Sequence, residues 1–103
     1  MKTVLLLCGN GISTTLLLDK LEEAAAALNE SGYNFDATTI EQADRYVPKA
    51  DVVLVAPQIS FQIPSLQKKY PNAKFAAMDM HMFGAVDGSA IISLAERTIE
   101  ENQ

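Results

Sequence analysis

Four short apolar runs, Lys2 to Leu7, Asn34 to Ile40, Val52 to Ala56 and Lys74 to Met78, alternate with stretches in which hydrophobic residues recur every three or four positions. The runs read as strands and the stretches between them as helices, which is the pattern of an α/β chain. The first and third runs contain the unbroken segments Val4-Leu5-Leu6-Leu7 and Val52-Val53-Leu54-Val55. A strand covered on both faces needs such continuity, so these two belong at the centre of a parallel sheet. The second run alternates more and reads as an edge.

From Ser13 to about Asn29 an apolar stripe of Leu17, Leu21, Ala24 and Leu28 keeps helical spacing. Gly32 is expected to end that helix in the left-handed conformation that glycine adopts at low cost. A short helix is expected over Glu41 to Tyr46, closed by Pro48, and another over about Phe61 to Tyr70 with Pro64 in its first turn. The last, from about Asp87 to Glu101, would bury Ile91, Ile92, Ala95 and Ile99. Right-handed crossovers between these elements give a small, three-layer, open twisted sheet. If strands one and three are adjacent, the order reverses between them and a ligand crevice opens at their carboxyl ends. The two loops expected there are Cys8 to Thr14 and Pro57-Gln58-Ile59-Ser60.

With 103 residues, 49% of them hydrophobic, the chain has material for one packed domain, taken as residues 1–103. Thirteen acidic residues against eight basic ones leave a net charge of -5, and the only adjacent basic pair is Lys68-Lys69. Nucleic acid is not an expected partner, because phosphate backbones call for a basic face. The opening apolar run is too short for a signal peptide or a membrane span, and a cytoplasmic location is expected. The single cysteine excludes an internal disulfide, and the single histidine, His81, has no companion at metal-ligand spacing. Neither a metal nor a cofactor is expected.

The candidate chemistry sits where the first strand ends: Leu7-Cys8-Gly9-Asn10-Gly11-Ile12-Ser13-Thr14-Thr15 places the thiol ahead of a turn rich in glycine and hydroxyls. Main-chain N–H groups of such a turn, together with the positive end of the following helix, favour an anion without any basic side chain. The same dipoles are expected to lower the pKa of Cys8, since the thiolate is the nucleophile. Gly9 and Gly11 are read as positions needing positive φ, which Asn10 also tolerates. Ser13, Thr14 and Thr15 offer hydroxyls to phosphate oxygens, to the sulfur or to the helix as a cap. The lysine of a nucleoside-triphosphatase loop is missing, and a thiol phosphatase would carry arginine where Thr14 stands. A cradle without that guanidinium suits holding and passing on a phosphoryl group better than hydrolysing it.

These residues resemble the IIB components of bacterial sugar phosphotransferase systems, lactose/cellobiose (N,N′-diacetylchitobiose) group. The resemblance rests on the Cys8 loop with Gly11-Ile12-Ser13-Thr14, on Ala50-Asp51-Val52-Val53-Leu54-Val55-Ala56-Pro57-Gln58-Ile59, and on Phe83-Gly84-Ala85-Val86-Asp87-Gly88. It implies a four-stranded parallel sheet, for which the order 2-1-3-4 is expected, with helices on both faces and a phosphotyrosine-phosphatase-like loop topology. It further implies that Cys8 accepts a phosphoryl group from a histidine of a IIA protein and gives it to a sugar of β-glucoside, lactose or cellobiose type. That sugar would be held by a membrane-embedded IIC permease, and Gly9, Asn10, Gly11, Ile12, Ser13, Thr14 and Thr15 would bind the phosphate. The family commonly has methionine where Ile12 stands and a small residue where Asn10 stands.

Gln58 is read either as a satisfier of backbone groups or as a second-loop contact to the phosphoryl group or a partner. Asp51 is read as a strand-start residue and His81 as part of a surface loop. Met80, Met82 and Phe83 either seal the core or join Ile12, Ile59 and Phe61 in an apolar rim around Cys8, where partner proteins dock. A small thiol-based phosphatase and a non-catalytic anion-binding module remain as alternative functions.

Overall fold

The computed structural model describes residues 2–9, 14–28 and 32–101, with the side chains of Thr14 and Thr15 outside that description. Its strands are β1 (Lys2–Cys8), β2 (Tyr33–Thr39), β3 (Val52–Val55) and β4 (Phe75–Ala77). They form one parallel sheet in the order β2-β1-β3-β4. The two unbroken hydrophobic runs are indeed its centre, and the alternating run is an edge. Five α-helices are described: α1 (Thr14–Ala27), α2 (Ala43–Tyr46), α3 (Ile63–Lys69), α4 (Met80–Gly84) and α5 (Gly88–Glu101).

Alternation along the central strands divides the core in two. Val4, Leu6, Cys8, Val52, Leu54 and Ala56 share a cluster with residues of α1, α4 and α5. Leu5, Leu7, Val53 and Val55 share another with residues of α2 and α3. The three-layer arrangement follows directly, and the predicted buried set of Ile91, Ile92, Ala95 and Ile99 is found in α5. At the opposite edge from Cys8, Asp51 is a strand-start residue: its N–H donates to the Thr3 carbonyl at 2.9 Å and its Oδ2 accepts from the Thr3 N–H at 2.6 Å. These two bonds extend the β1–β3 ladder by one step.

Three local readings need correction. α1 ends at Ala27, before Gly32, which lies outside the left-handed region and instead accepts from the Lys2 N–H at 2.8 Å to start the β1–β2 pairing. Leu28 accordingly leaves the apolar stripe and is 48% exposed, while Ala25 takes its place in the core. Pro48 does not stop the chain from coiling: it lies inside a 3-10 turn, Val47–Lys49, because its fixed φ suits the turn and only its missing N–H is lost. His81 lies in α4, not in a loop. That helix is capped by Asp79, whose Oδ1 accepts from the Met82 N–H at 2.8 Å.

The end of α4 is equally specific. The Val86 N–H donates to the Phe83 carbonyl at 3.2 Å and the Asp87 N–H to the Met82 carbonyl at 2.9 Å, a Schellman closure that puts Val86 at φ 49. A β-branched residue in that region costs roughly 1–2 kcal/mol. Val86 is held there by packing against the core cluster of α1 and α5.

Candidate functional site

Cys8 is the last residue of β1, and its side chain continues the Val4-Leu6 series into the core between the sheet and α1/α5. It is 0% exposed. The Leu7 carbonyl before it accepts from the Ala56 N–H at 2.9 Å, so the ends of the two central strands are tied together beneath the thiol. Beyond Ala56 the chain turns into a 3-10 segment, Pro57–Gln62, in which the Ile59 N–H donates to the Ala56 carbonyl at 3.1 Å. Ser60 Oγ donates to the Pro57 carbonyl at 3.1 Å and closes the same turn. The half-buried Ile59 packs against both core clusters, and a Cβ placed on Gly9 would lie 3.8 Å from its Cγ2. The two crevice loops read from the sequence are therefore neighbours.

The residues proposed to bind phosphate divide unevenly. Asn10, Gly11, Ile12 and Ser13 lie outside the described residues, as do the side chains of Thr14 and Thr15, whose backbone opens α1. Gly9 is described and does not have the positive φ expected of it. An alanine there would make ordinary contact with Ile59, so the backbone of Gly9 itself needs no glycine. Gln58 is exposed and has no hydrogen-bond partner among the described residues, which leaves its amide available to an incoming group. Asp79 and Asp87, which follow β4, are both engaged as helix caps: Asp79 on Met82, and Asp87 on the Ala90 N–H at 3.2 Å.

The electrostatics of the thiol differ from expectation. Burial pushes Cys8 up to about 11, the opposite of the lowering expected from the helix dipole. Desolvation by burial is the cause, and it favours the neutral thiol. The unfolded thiol ionises near pH 8.5, so between that pH and 11 the unfolded chain holds fewer protons than the native one and stability falls as pH rises. The expected loss is up to about 3 kcal/mol across that window. Subtracting the urea-denaturation profile of a Cys8→Ala variant isolates it from other titrating groups. Identical pH profiles for the two proteins would contradict a buried neutral thiol.

Among the described residues, three large apolar side chains are exposed around this edge: Leu16 at 52%, Phe61 at 75% and Met80 at 70%. Each stands shortly after the carboxyl end of a strand, in α1, the 3-10 segment and α4 respectively. Of the rim residues read from the sequence, Phe61 and Met80 are exposed, Ile59 and Met82 are half-buried and Phe83 is core; Ile12 lies outside the described residues. Leu16 was missed. Its signal is that it stands off the Leu17-Leu21 stripe, on a flank that a solvated helix would fill with a polar residue. Among the described residues no group of three or more metal-ligating side chains occurs, and no helix is long and apolar enough to cross a membrane.

Comparison with known proteins agrees with this architecture. Residues 3–94 match the model of the family described as PTS system, Lactose/Cellobiose specific IIB subunit. An oligo-beta-mannoside-specific EIIB component of Bacillus subtilis (strain 168) is 38% identical over 90 residues, covering 85% of this chain and 86% of its own. A galactose-specific EIIB component of Lactococcus lactis subsp. cremoris is 31% identical over 102 residues, covering 92% and 94%. The solution structure of a cellobiose-specific phosphotransferase IIB component from Borrelia burgdorferi superposes with a TM-score of 0.76 at 26% identity, over 97% of this chain and 93% of that one.

Proposed function

Since the chain belongs to the lactose/cellobiose-specific IIB family of sugar phosphotransferase systems, and is thus a sugar phosphotransfer component, we propose that Cys8 is the residue that carries the phosphoryl group during the transfer. The observation that supports this most is the place of the only thiol, at the carboxyl end of a central strand with α1 opening at Thr14 just beyond. In the first step the sulfur attacks the phosphoryl group on a IIA histidine: an S–P bond forms, the N–P bond breaks, and the thiol proton ends on the imidazole nitrogen. In the second a sugar hydroxyl attacks: a P–O bond forms, the S–P bond breaks, and the sulfur regains a proton. A base within the IIC permease receives the hydroxyl proton in between.

Burial gives each step a direction. With a pKa of about 11 only roughly one thiol in ten thousand is ionised at neutral pH, so the nucleophile is held in reserve until a donor able to take its proton arrives. The same burial favours the neutral thiol once the phosphoryl group has left. Charge on the phosphoryl oxygens is met by main-chain N–H groups of residues 9–15 and the N-terminus of α1, with Gln58 as a contact from the second loop. The sugar is taken to be of β-glucoside, lactose or cellobiose type, and the protein to work on the cytoplasmic side of the membrane, attached through IIC.

The deciding experiment is an intact-mass measurement after incubation with a phosphorylated IIA protein. A gain of one phosphoryl group is expected; no gain at any donor concentration would overturn the reading. The exposed rim of Leu16, Phe61 and Met80 supplies the apolar surface through which IIA and IIC approach the thiol. Phe61→Ser is accordingly expected to slow phosphoryl uptake about tenfold at limiting IIA, a typical loss for one apolar anchor. Because Phe61 is exposed, the thermal midpoint of this variant should not move.

A further inference from the structure

A second feature of the molecule lies at the opposite edge of the sheet. A cavity of about 340 Å³ opens between the turn after α2 and the turn after α3, walled by Val47, Pro48 and Ala50 on one side and Tyr70, Pro71 and Ala73 on the other. Both walls precede strands, β3 and β4, whereas Cys8 ends one. Ala50 is six residues upstream of Ala56, the register level of Cys8, which separates cavity and thiol by roughly 20 Å at a strand's rise of about 3.3 Å per residue. The two sites do not share an entrance.

The cavity is a built one. Gln67 Nε2 donates to the Ala73 carbonyl at 3.0 Å and to the Tyr70 carbonyl at 3.4 Å, which fixes the 70–73 wall from within. Across the opening the Tyr70 hydroxyl donates to Asp44, and Lys69 Nζ lies 3.1 Å from the same carboxylate, so α2 and α3 are braced against each other. Asp44 is held below the usual carboxylate range, first by Tyr70 and then by Lys69, and remains an anion occupied by these two partners.

The surrounding charge is the reverse of the chain's. Helices α1 and α5 carry six carboxylates against two cations, Lys20 and Arg97. The layer of α2, its following turn and α3 carries Arg45, Lys49, Lys68 and Lys69 against Asp44, with Glu41 just before α2 and Asp51, which accepts from the Thr3 N–H, just after the turn. Lys69 is matched by Asp44, while Arg45, Lys49 and Lys68 are exposed and make no ion pair among the described residues. In a protein of net charge -5 this layer is net positive, and Lys49 stands between two residues of the cavity wall, Pro48 and Ala50.

We propose that this face binds an acidic peptide segment of a partner protein, with one apolar side chain of that segment filling the cavity and its carboxylates meeting Arg45, Lys49 and Lys68. The apolar walls favour an inserted side chain over a free anion. The same walls favour a peptide that carries an apolar side chain over a flat lipid surface, which would touch only the cations. A partner held here leaves the thiol edge open, so it can stay bound while phosphoryl groups enter and leave.

The probe is a short peptide of glutamate and aspartate around one central phenylalanine, titrated into the isotope-labelled full chain and followed by amide shifts. Shifts are expected at residues 47, 49–50, 69–70 and 72–73 and not at Cys8. Affinity should fall about tenfold when serine replaces the phenylalanine, when Lys49→Glu is combined with Lys68→Glu, and when salt is raised from low to high. Ala73→Leu, which fills the cavity and leaves the charges, should weaken binding alike; should that variant misfold, the charge reversals carry the test. No shifts at millimolar peptide, shifts confined to the Leu16, Phe61 and Met80 edge, or equal binding of a lysine analogue would each overturn the proposal. So would displacement of the peptide by vesicles of an anionic phospholipid that perturb the same amides more strongly.

Discussion

Replacing Cys8 with serine is expected to abolish phosphoryl uptake from a phosphorylated IIA protein and, with it, transfer to sugar. The substitution changes little in volume and removes the sulfur. An alkoxide is a far poorer leaving group than a thiolate, so a phosphoserine would be a dead end even if it formed. The variant also differs in stability for a reason read from the fold: the side chain is fully buried in an apolar cluster, and a hydroxyl without a partner there costs about 1–3 kcal/mol. Cys8→Ala therefore belongs beside it, since it lacks both nucleophile and polar burden. Both variants should keep native circular dichroism and gain no mass on incubation with the donor. A phosphoryl group appearing on Cys8→Ala, which has no acceptor atom at that position, would remove Cys8 from the mechanism.

The burial of this thiol also shows how far the sequence carried. The central strands were legible because four consecutive apolar residues can be sheltered only between two helical layers, and the edge strand because Asn34, Asp36 and Thr38 interrupt its apolar positions. The same alternation, followed one residue past Leu7, puts Cys8 with Val4 and Leu6 on the α1/α5 side. The glycine-rich turn thus starts after the cysteine and not at it, and desolvation raises the thiol's pKa where a place inside the turn would lower it. The five residues of α4 were not legible because one turn and a half is too short for a period to appear; the cap Asp79 was its only local sign. Left-handed backbone is expected at Gly32 as the end of a helix and at Gly9 as part of an anion-wrapping turn, and neither adopts it. The rim was half legible: Phe61 and Met80 are apolar positions outside any stripe, but their exposure depends on what the neighbouring elements cover.

A glycine that the sequence did not single out for its packing should have the largest effect on folding. Gly88 opens α5 where that helix crosses α1, and a Cβ built on it would lie 2.5 Å from Ala24 Cβ and 3.0 Å from the Lys20 carbonyl oxygen. Neither neighbour can swing away, because one is the stub of a helix and the other is backbone. Gly88→Ala must therefore push α5 off α1, at about 1–3 kcal/mol for an overpacked contact, less the few tenths gained from helix propensity. At about 4–8 °C per kcal/mol for a domain of this size, the thermal midpoint should fall by several degrees at least. Ala24→Gly removes the nearer obstacle and leaves the Lys20 carbonyl, so the double variant should recover part of the loss, a coupling that a double-mutant cycle measures. Because α1 begins at Thr14, six residues after Cys8, a displaced α1 also moves its positive end relative to the sulfur. Phosphoryl uptake by Gly88→Ala should consequently fall even at temperatures where the variant is fully folded. An unchanged thermal midpoint for Gly88→Ala would mean that α5 can leave α1 without cost, and the close crossing would then have no part in holding the thiol edge in shape.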